Sequence, residues 1–144
     1  SEMCIRDRVY SIDINPWAIR YTEENIRLNG VKHIVKPILG DAKEVIEKRL
    51  EGVADRVLMP LPEKAYEYIG FAVKALKPSG GFIHYYDFIH AGRNENPICK
   101  VEERICKKLR SFKINFEIYS SRIVRTVGPR WFQIVSDIKI GKKN

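Results

Sequence analysis

Two acids and a doubled proline stand at intervals that suit a nucleoside site. Asp13 closes a short β-branched run, Val9-Tyr10-Ser11-Ile12-Asp13-Ile14. Gly40-Asp41-Ala42 closes a second run, its acid 28 residues further on, and Pro60-Leu61-Pro62 closes a third, 19 residues after that. A carboxylate fixed at a strand tip can accept both hydroxyls of a ribose. A second acid at the next tip, with Ala42 beside it, can meet the edge of an adenine. A proline corner is stiff enough to hold a reacting group in place. Each acid alone reads more simply as a helix N-cap or a surface charge. Three suitable strand ends in order, one β-α unit apart, favour a ligand site beyond the carboxyl ends of a sheet.

Those residues need elements to carry them, and the chain alternates strand and helix. Asn15 and Pro16 are suited to open a helix that runs to Leu28 and is capped by Asn29-Gly30. Ile34 to Leu39 reads as a strand and Ala42 to Leu50 as a helix, with Ala54 to Met59 the third strand. Glu63 to Leu76 follows as a helix with Ala65, Ile69, Ala72, Val73 and Leu76 on one stripe. Phe82 to Phe88 reads as a strand buried on both faces. A helix from Asn96 to Phe112 carries Ile98, Val101, Ile105 and Leu109 on one side and bases on the other. Ile114 to Val127 and Trp131 to Ile140 then follow across Gly128-Pro129-Arg130 with no helix between, so this pair is antiparallel. The fold class is α/β: a Rossmann-like sheet, mostly parallel, with an antiparallel strand pair at the carboxyl end.

Composition narrows the partners. At 144 residues and 44% apolar the chain can bury one core, and no window approaches a membrane span. Cys4, Cys99 and Cys106 lack the spacing of a zinc site or a disulfide framework, so no metal is expected. A secreted mini-protein, a zinc finger, a membrane protein and a disordered tail are excluded; a reduced, cytoplasmic domain remains. Residues 1–92 hold equal numbers of basic and acidic side chains, 13 of each, whereas residues 93–144 hold 13 basic and 5 acidic. The whole net charge of +8 therefore sits in the last third, which suits a polyanion. Arg93, Lys100, Arg104, Lys107, Lys108, Arg122, Arg125 and Arg130 are the candidate phosphate contacts. His84-Tyr85-Tyr86-Asp87 is a candidate pocket lining, with a buried strand carrying satisfied polar groups as the plainer reading. His33 and His90 read as isolated loop residues, and Cys99 and Cys106 as buried free thiols on one helix face.

The ordered set Asp13-Ile14-Asn15-Pro16, Asn25-Ile26-Arg27-Leu28-Asn29, Gly40-Asp41-Ala42, Ala54-Asp55-Arg56-Val57-Leu58-Met59-Pro60-Leu61-Pro62, Gly81-Phe82-Ile83-His84-Tyr85-Tyr86 and Arg125-Thr126-Val127-Gly128-Pro129-Arg130 carries a resemblance. It resembles the S-adenosylmethionine-binding half of the archaeal and eukaryotic tRNA guanine-37 N1-methyltransferases, over residues 9 to about 140. Each motif is weak alone; the ordered run is specific. The resemblance implies a class I methyltransferase domain over residues 9–144, with S-adenosylmethionine as cofactor and the anticodon loop of tRNA as partner. It implies Asp13 on the ribose, Asp41 and Ala42 on the adenine, and Pro60, Leu61 and Pro62 flanking methionine and target base. Ile14 and Asn15 complete the cofactor set, and Arg93, Arg125 and Arg130 are the leading RNA contacts. Many members have Asn-Leu-Pro at the corner; here Pro60 offers only a ring and a carbonyl.

The reaction so implied moves a methyl group to guanine N1, or to a wyosine-pathway derivative of that base. N1 must lose its proton as the methyl arrives, so a general base is needed. The family places that base and an assisting arginine upstream of the segment present here, so no catalytic acid or base is assigned. An aminocarboxypropyl transferase of the wybutosine pathway, using the same cofactor, is the nearest rival. A nicotinamide-binding Rossmann domain and a non-catalytic RNA-binding fragment are the others.

The amino end departs from the family. No glycine precedes Gly30, so the first strand and its Gly-rich loop are missing, and residues 1–8 read as a non-native leader. The absent strand belongs between the strands ending at Asp13 and Met59, which leaves two parallel edges to be exposed or to pair across the gap. The expectation is a partial domain, inactive alone, that is poorly stable or self-associates and has negligible cofactor affinity.

Overall fold

The structure is a computed structural model and describes residues 8–143. Of the expected leader only Arg8 is described; the rest lies outside the described residues. Two compact units divide between Arg49 and Leu50.

In the first unit β1 (Val9–Asp13) pairs in parallel with β2 (Val35–Leu39), Val9 opposite Val35 and Asp13 opposite Leu39. A parallel pair needs a crossover, supplied by α1 (Pro16–Leu28). Asn15 caps α1 by accepting the Trp17 N–H, and Pro16 takes the first helical position, where its missing N–H costs nothing. Pro37 within β2 has no N–H to donate, which suits a strand with only one partner. The helix expected over 42–50 is instead an α-turn, α2 (Ala42–Val45), that widens into a π-helix over Ile46–Leu50. The core of this unit is thin: Ile19, Ile26, Ile38, Val45 and Ile46 are buried, yet none falls below 7% exposure.

The second unit holds a four-stranded sheet in the order β3-β4-β6-β5. β3 (Arg56–Met59) runs parallel to β4 (Gly81–His90), with α3 (Pro62–Ala75) as the crossover. α4 (Pro97–Ser111) leads to β5 (Phe116–Gly128), which forms a hairpin with β6 (Trp131–Ile140). The antiparallel pair is as expected. The insertion of β6 between β4 and β5 has no signal in the local pattern.

β4 extends two residues beyond the expected Phe88, and it is not buried on both faces. Its odd members Ile83, Tyr85, Asp87 and Ile89 are buried, whereas Phe82, His84, Tyr86 and Phe88 are half-buried. Both helices of this unit lie on the odd face. Ile69, Ala72 and Leu76 of the α3 segment and Val101, Ile105 and Leu109 of α4 pack there with Ile83, Tyr85, Ile134 and Ile138. Gly80 allows the chain to enter β4: its φ is +92°, and a Cβ there would lie 2.2 Å from the Ile140 carbonyl oxygen. Gly80→Ala should therefore lower the unfolding free energy by about 1–3 kcal/mol, seen as a lower urea midpoint at unchanged slope.

Candidate functional site

The carboxyl ends of β1 and β2 are adjacent. The Gly40 N–H donates to the Asp13 carbonyl (2.9 Å), so Asp41 stands two residues past the last rung of the ladder, Asp13 opposite Leu39. Neighbouring strands are about 4.8 Å apart, which brings the two acids to one rim of this unit. A Cβ at Gly40 would meet Val45 Cγ2 at 3.0 Å, so the absent side chain lets the turn close onto α2. Each acid also serves its own backbone. Asp13 Oδ1 accepts the Asn15 N–H and Asp41 Oδ1 accepts the Lys43 N–H, both at 2.9 Å. The N-cap reading is realised at Asp41, which caps α2, whereas Asp13 makes a turn bond to Asn15, the residue that caps α1; a carboxylate has about four lone pairs, so such a bond does not exhaust it. Asp13 and Asn15 are exposed, Ile14 is 69% exposed, and Asp41 and Ala42 are half-buried. An apolar side chain beside two acceptors suits a nucleoside, which has a flat face and a polar edge.

The proline corner belongs to the second unit. Met59 ends β3 at the edge of burial, Pro60 is exposed, Leu61 is 54% exposed, and Pro62 opens α3. Leu61 makes no side-chain cap; its carbonyl accepts from Lys64 and Ala65 (both 3.1 Å). The corner is a stiff, apolar step at a strand's carboxyl end, as its composition requires.

β4 separates the chemistry of His84-Tyr85-Tyr86-Asp87 onto two faces. Tyr85 and Asp87 are buried together, the Tyr85 hydroxyl donating to Asp87 Oδ2 at 2.9 Å. Burial raises the Asp87 carboxyl above its ordinary range, opposed by Arg104, whose Nη1 lies 3.6 Å away, and by the Tyr85 bond. Burial, then the neighbouring Asp87, also pushes the Tyr85 hydroxyl upward. For these two the plainer reading holds: a buried strand with satisfied polar groups. His84 faces the other way, with Nδ1 2.5 Å from Asp137 Oδ1 and Nε2 accepting from Arg56 Nη1 at 2.8 Å. Asp137 also accepts from the Ser120 hydroxyl (2.9 Å), and the His84 bond chiefly holds its carboxyl below the ordinary range. Sequence reasoning missed this cluster, because Asp137 lies 53 residues from His84 and only the β4–β6 register joins them.

The basic third divides as well. Lys100 bonds the His90 carbonyl (2.8 Å) and pairs with Glu95 (2.9 Å). Arg104 and Lys108 lie over the Tyr66 ring at 4.5 and 4.8 Å. Arg130 donates Nε to the Ala91 carbonyl (2.8 Å) and Nη2 to that of Gly92. These four are at least partly engaged within the fold. Arg93 is exposed on the loop after β4, and Arg122 and Arg125 are exposed on β5. Two expectations need correction. Cys99 is exposed and Cys106 half-buried on the outer face of α4, because the stripe of Val101, Ile105 and Leu109 already fills the core. His90 is the last residue of β4, its ring 5.3 Å from that of Trp131. Among the described residues no group of acids, histidines and cysteines is arranged to hold a metal, and no helix is long and apolar enough to cross a membrane.

A parallel β1–β2 pair with acids at its tips in one unit, and a parallel pair extended by an antiparallel hairpin in the other, are α/β elements of the nucleotide-cofactor class. Comparison specifies the family: the chain belongs to the TRM5/TYW2 methyltransferase domain family, whose pattern matches residues 3–115. It is 40% identical over 132 residues to tRNA (guanine(37)-N(1))-methyltransferase Trm5b of Pyrococcus abyssi, covering 92% of this chain and 37% of that protein. It is also 40% identical over 133 residues to tRNA 4-demethylwyosine(37)-methyltransferase Taw21 of Saccharolobus solfataricus, covering 91% and 45%. The crystal structure of Methanocaldococcus jannaschii TYW2 in complex with AdoMet superposes with a TM-score of 0.81 at 30% identity, covering 94% of this chain and 58% of that one. The chain thus spans less than half the length of these two relatives.

Asp87 yields a test of the buried pair. The folded state keeps its proton to a higher pH than the unfolded chain does. Its contribution to stability is therefore most favourable at low pH and declines as pH rises through the raised value. Asp87→Asn should flatten that decline in the mildly acidic range, measured as urea midpoint against pH.

Proposed function

We propose that this chain is the cofactor-binding part of a tRNA methyltransferase that transfers a methyl group from S-adenosylmethionine to N1 of guanine-37, or of a wyosine-pathway derivative at that position. The observation that carries the reading is the placement of Asp13 and Asp41 at the ends of adjacent parallel strands. That set of acceptors fits the nucleoside half of the cofactor: Asp13 for the ribose hydroxyls, Asp41 and Ala42 for the adenine edge, and Ile14 and Asn15 alongside. Charge-assisted bonds from hydroxyls to a carboxylate are short and strong, and the rigid strand tip holds the acceptor without ordering cost. S-adenosylmethionine, when bound, supplies an electrophilic methyl on a sulfonium. Pro60, Leu61 and Pro62 contribute a stiff apolar step to flank the methionine and the target base. Guanine N1 sheds its proton as the new N–C bond forms; no residue of this chain is assigned as the base.

The partner under this reading is tRNA, held by Arg93 and Arg125, with Arg130 bracing the loop that carries Arg93. The cytoplasm is the compartment it implies. Aminocarboxypropyl transfer from the same cofactor is the second reading. It is favoured by the 33% identity over 134 residues to the tRNA(Phe) (4-demethylwyosine(37)-C(7)) aminocarboxypropyltransferase of Methanocaldococcus jannaschii, which covers 91% of this chain and 49% of that protein.

Asp13→Asn and Asp41→Asn each keep a cap oxygen and remove the charge. Each should weaken S-adenosylmethionine binding about tenfold, read by saturation-transfer NMR at unchanged circular dichroism. Unaltered affinity in both variants refutes the nucleoside site. β1 and β3 each present one edge with no strand paired to it among the described residues. Such edges template pairing between chains. Sedimentation equilibrium should accordingly show a mass that rises with concentration; a fixed monomer mass rejects self-association.

A further inference from the structure

β4 outruns β3. Met59 pairs with Tyr85, and beyond that rung β4 continues through His90 with β6 as its partner. The projecting wall has one face covered by α3 and α4 and another that carries a repeating row. Tyr86, Val135 and Arg122 align across β4, β6 and β5; Phe88, Gln133 and Arg125 follow; His90, Trp131 and Gly128 end the wall. From Ile118 to Ser136 the hairpin holds three arginines and no acid. Trp131 is 46% exposed at its tip, with the His90 ring set against it at 63°.

The tip is held with unusual care. Pro129 and Arg130 form the two-residue turn, and Arg130 has φ +59°, a conformation that costs a side-chain-bearing residue of order 1 kcal/mol. Three hydrogen bonds retain it: the Ala91 N–H donates to the Arg130 carbonyl (3.0 Å), and the guanidinium donates to the carbonyls of Ala91 and Gly92. The turn thereby sets the backbone from which Trp131 projects, and the His90 ring packs against its side chain. Arg125, aligned by its Nε bond to Gln133 Oε1 (2.8 Å), and Arg122 lie along the same face.

We propose that Trp131 is a stacking platform for an unpaired base of the bound RNA, with Arg125 and Arg122 taking the adjoining phosphates. The inference rests on the tRNA reading above and deepens it by assigning the surface that receives the single strand. Aromatic rings stack any base, whereas arginines beside them neutralise the backbone; the hairpin from Ile118 to Ser136 carries no acid to oppose these contacts, and the neighbouring Glu95 is paired with Lys100.

The test uses the full chain with Trp17→Phe, which leaves Trp131 as its only tryptophan. Titration with tRNA should quench the Trp131 emission in step with binding measured by anisotropy of the labelled RNA. Trp131→Ala should weaken binding about tenfold without changing the salt slope, and Trp131→Phe should restore most of it. Arg125→Ala should reduce the salt slope by about one. A Trp131 that stays bright while tRNA binds, or a Trp131→Ala chain that binds as tightly as its parent, overturns the platform and leaves the tRNA reading standing. Equal affinity for a blunt RNA duplex and an unpaired strand overturns it too, since a stacked duplex offers no free base. Failure of every variant to bind tRNA removes both the platform and the reading beneath it.

Discussion

β4 pairs in parallel with β3 on one side and antiparallel with β6 on the other, and both registers must be satisfied by one alternation of side chains. Every odd residue from Ile83 to Ile89 is thereby committed to the face that α3 and α4 cover. The core of the second unit is built on this constraint. Tyr85, Ile83, Ile134 and Ile138 are each wholly buried where the helices meet the sheet. The even residues are released to polar and aromatic work on the other face. A slip of one residue would exchange the two sets, placing His84 in the core and Tyr85 outside.

The first unit depends on a different economy. Its apolar core is shallow, and hydrogen bonds at the turns tie its strand ends: Asp13 with Asn15, Asn15 with Trp17, Gly40 with Asp13, and Asp41 with Lys43. Asp13 and Asp41, the proposed nucleoside contacts, are thus also the residues that shape these turns. Such double use is economical, because an acceptor fixed by its own backbone needs no further ordering when a ligand arrives. It also explains why a sequence reading could not separate cap from ligand contact; both demand a short acid at a strand tip.

Polar groups inside the second unit show how burial and pairing share one position. Asp87 is disfavoured as an anion by burial, and Arg104 with Tyr85 offsets part of that cost. The Arg104 contact is long, and its guanidinium lies over Tyr66 instead of closing on the carboxylate. Several cations of the basic third are likewise engaged inside the fold. The charge excess is therefore a poor count of the groups left to face a polyanion; exposure on β5 and on the loop after β4 is the better guide.

Local periodicity, caps and breakers were enough to place six strands and the helices between them, together with the three strand ends that carry Asp13, Asp41 and Pro60. These features depend on residues within a turn or two of each other, which is the range a linear pattern can report. The π-widening after Val45, the place of β6 between β4 and β5, the His84–Asp137–Arg56 cluster and the aromatic tip at Trp131 depended on the tertiary structure. Each joins residues through ladder registers or packing that no short window contains, and the partners of His84 stand 28 and 53 residues away. Residue type at strand ends was legible in the chain; which face and which neighbour each side chain received was settled only when the sheet closed its hydrogen bonds.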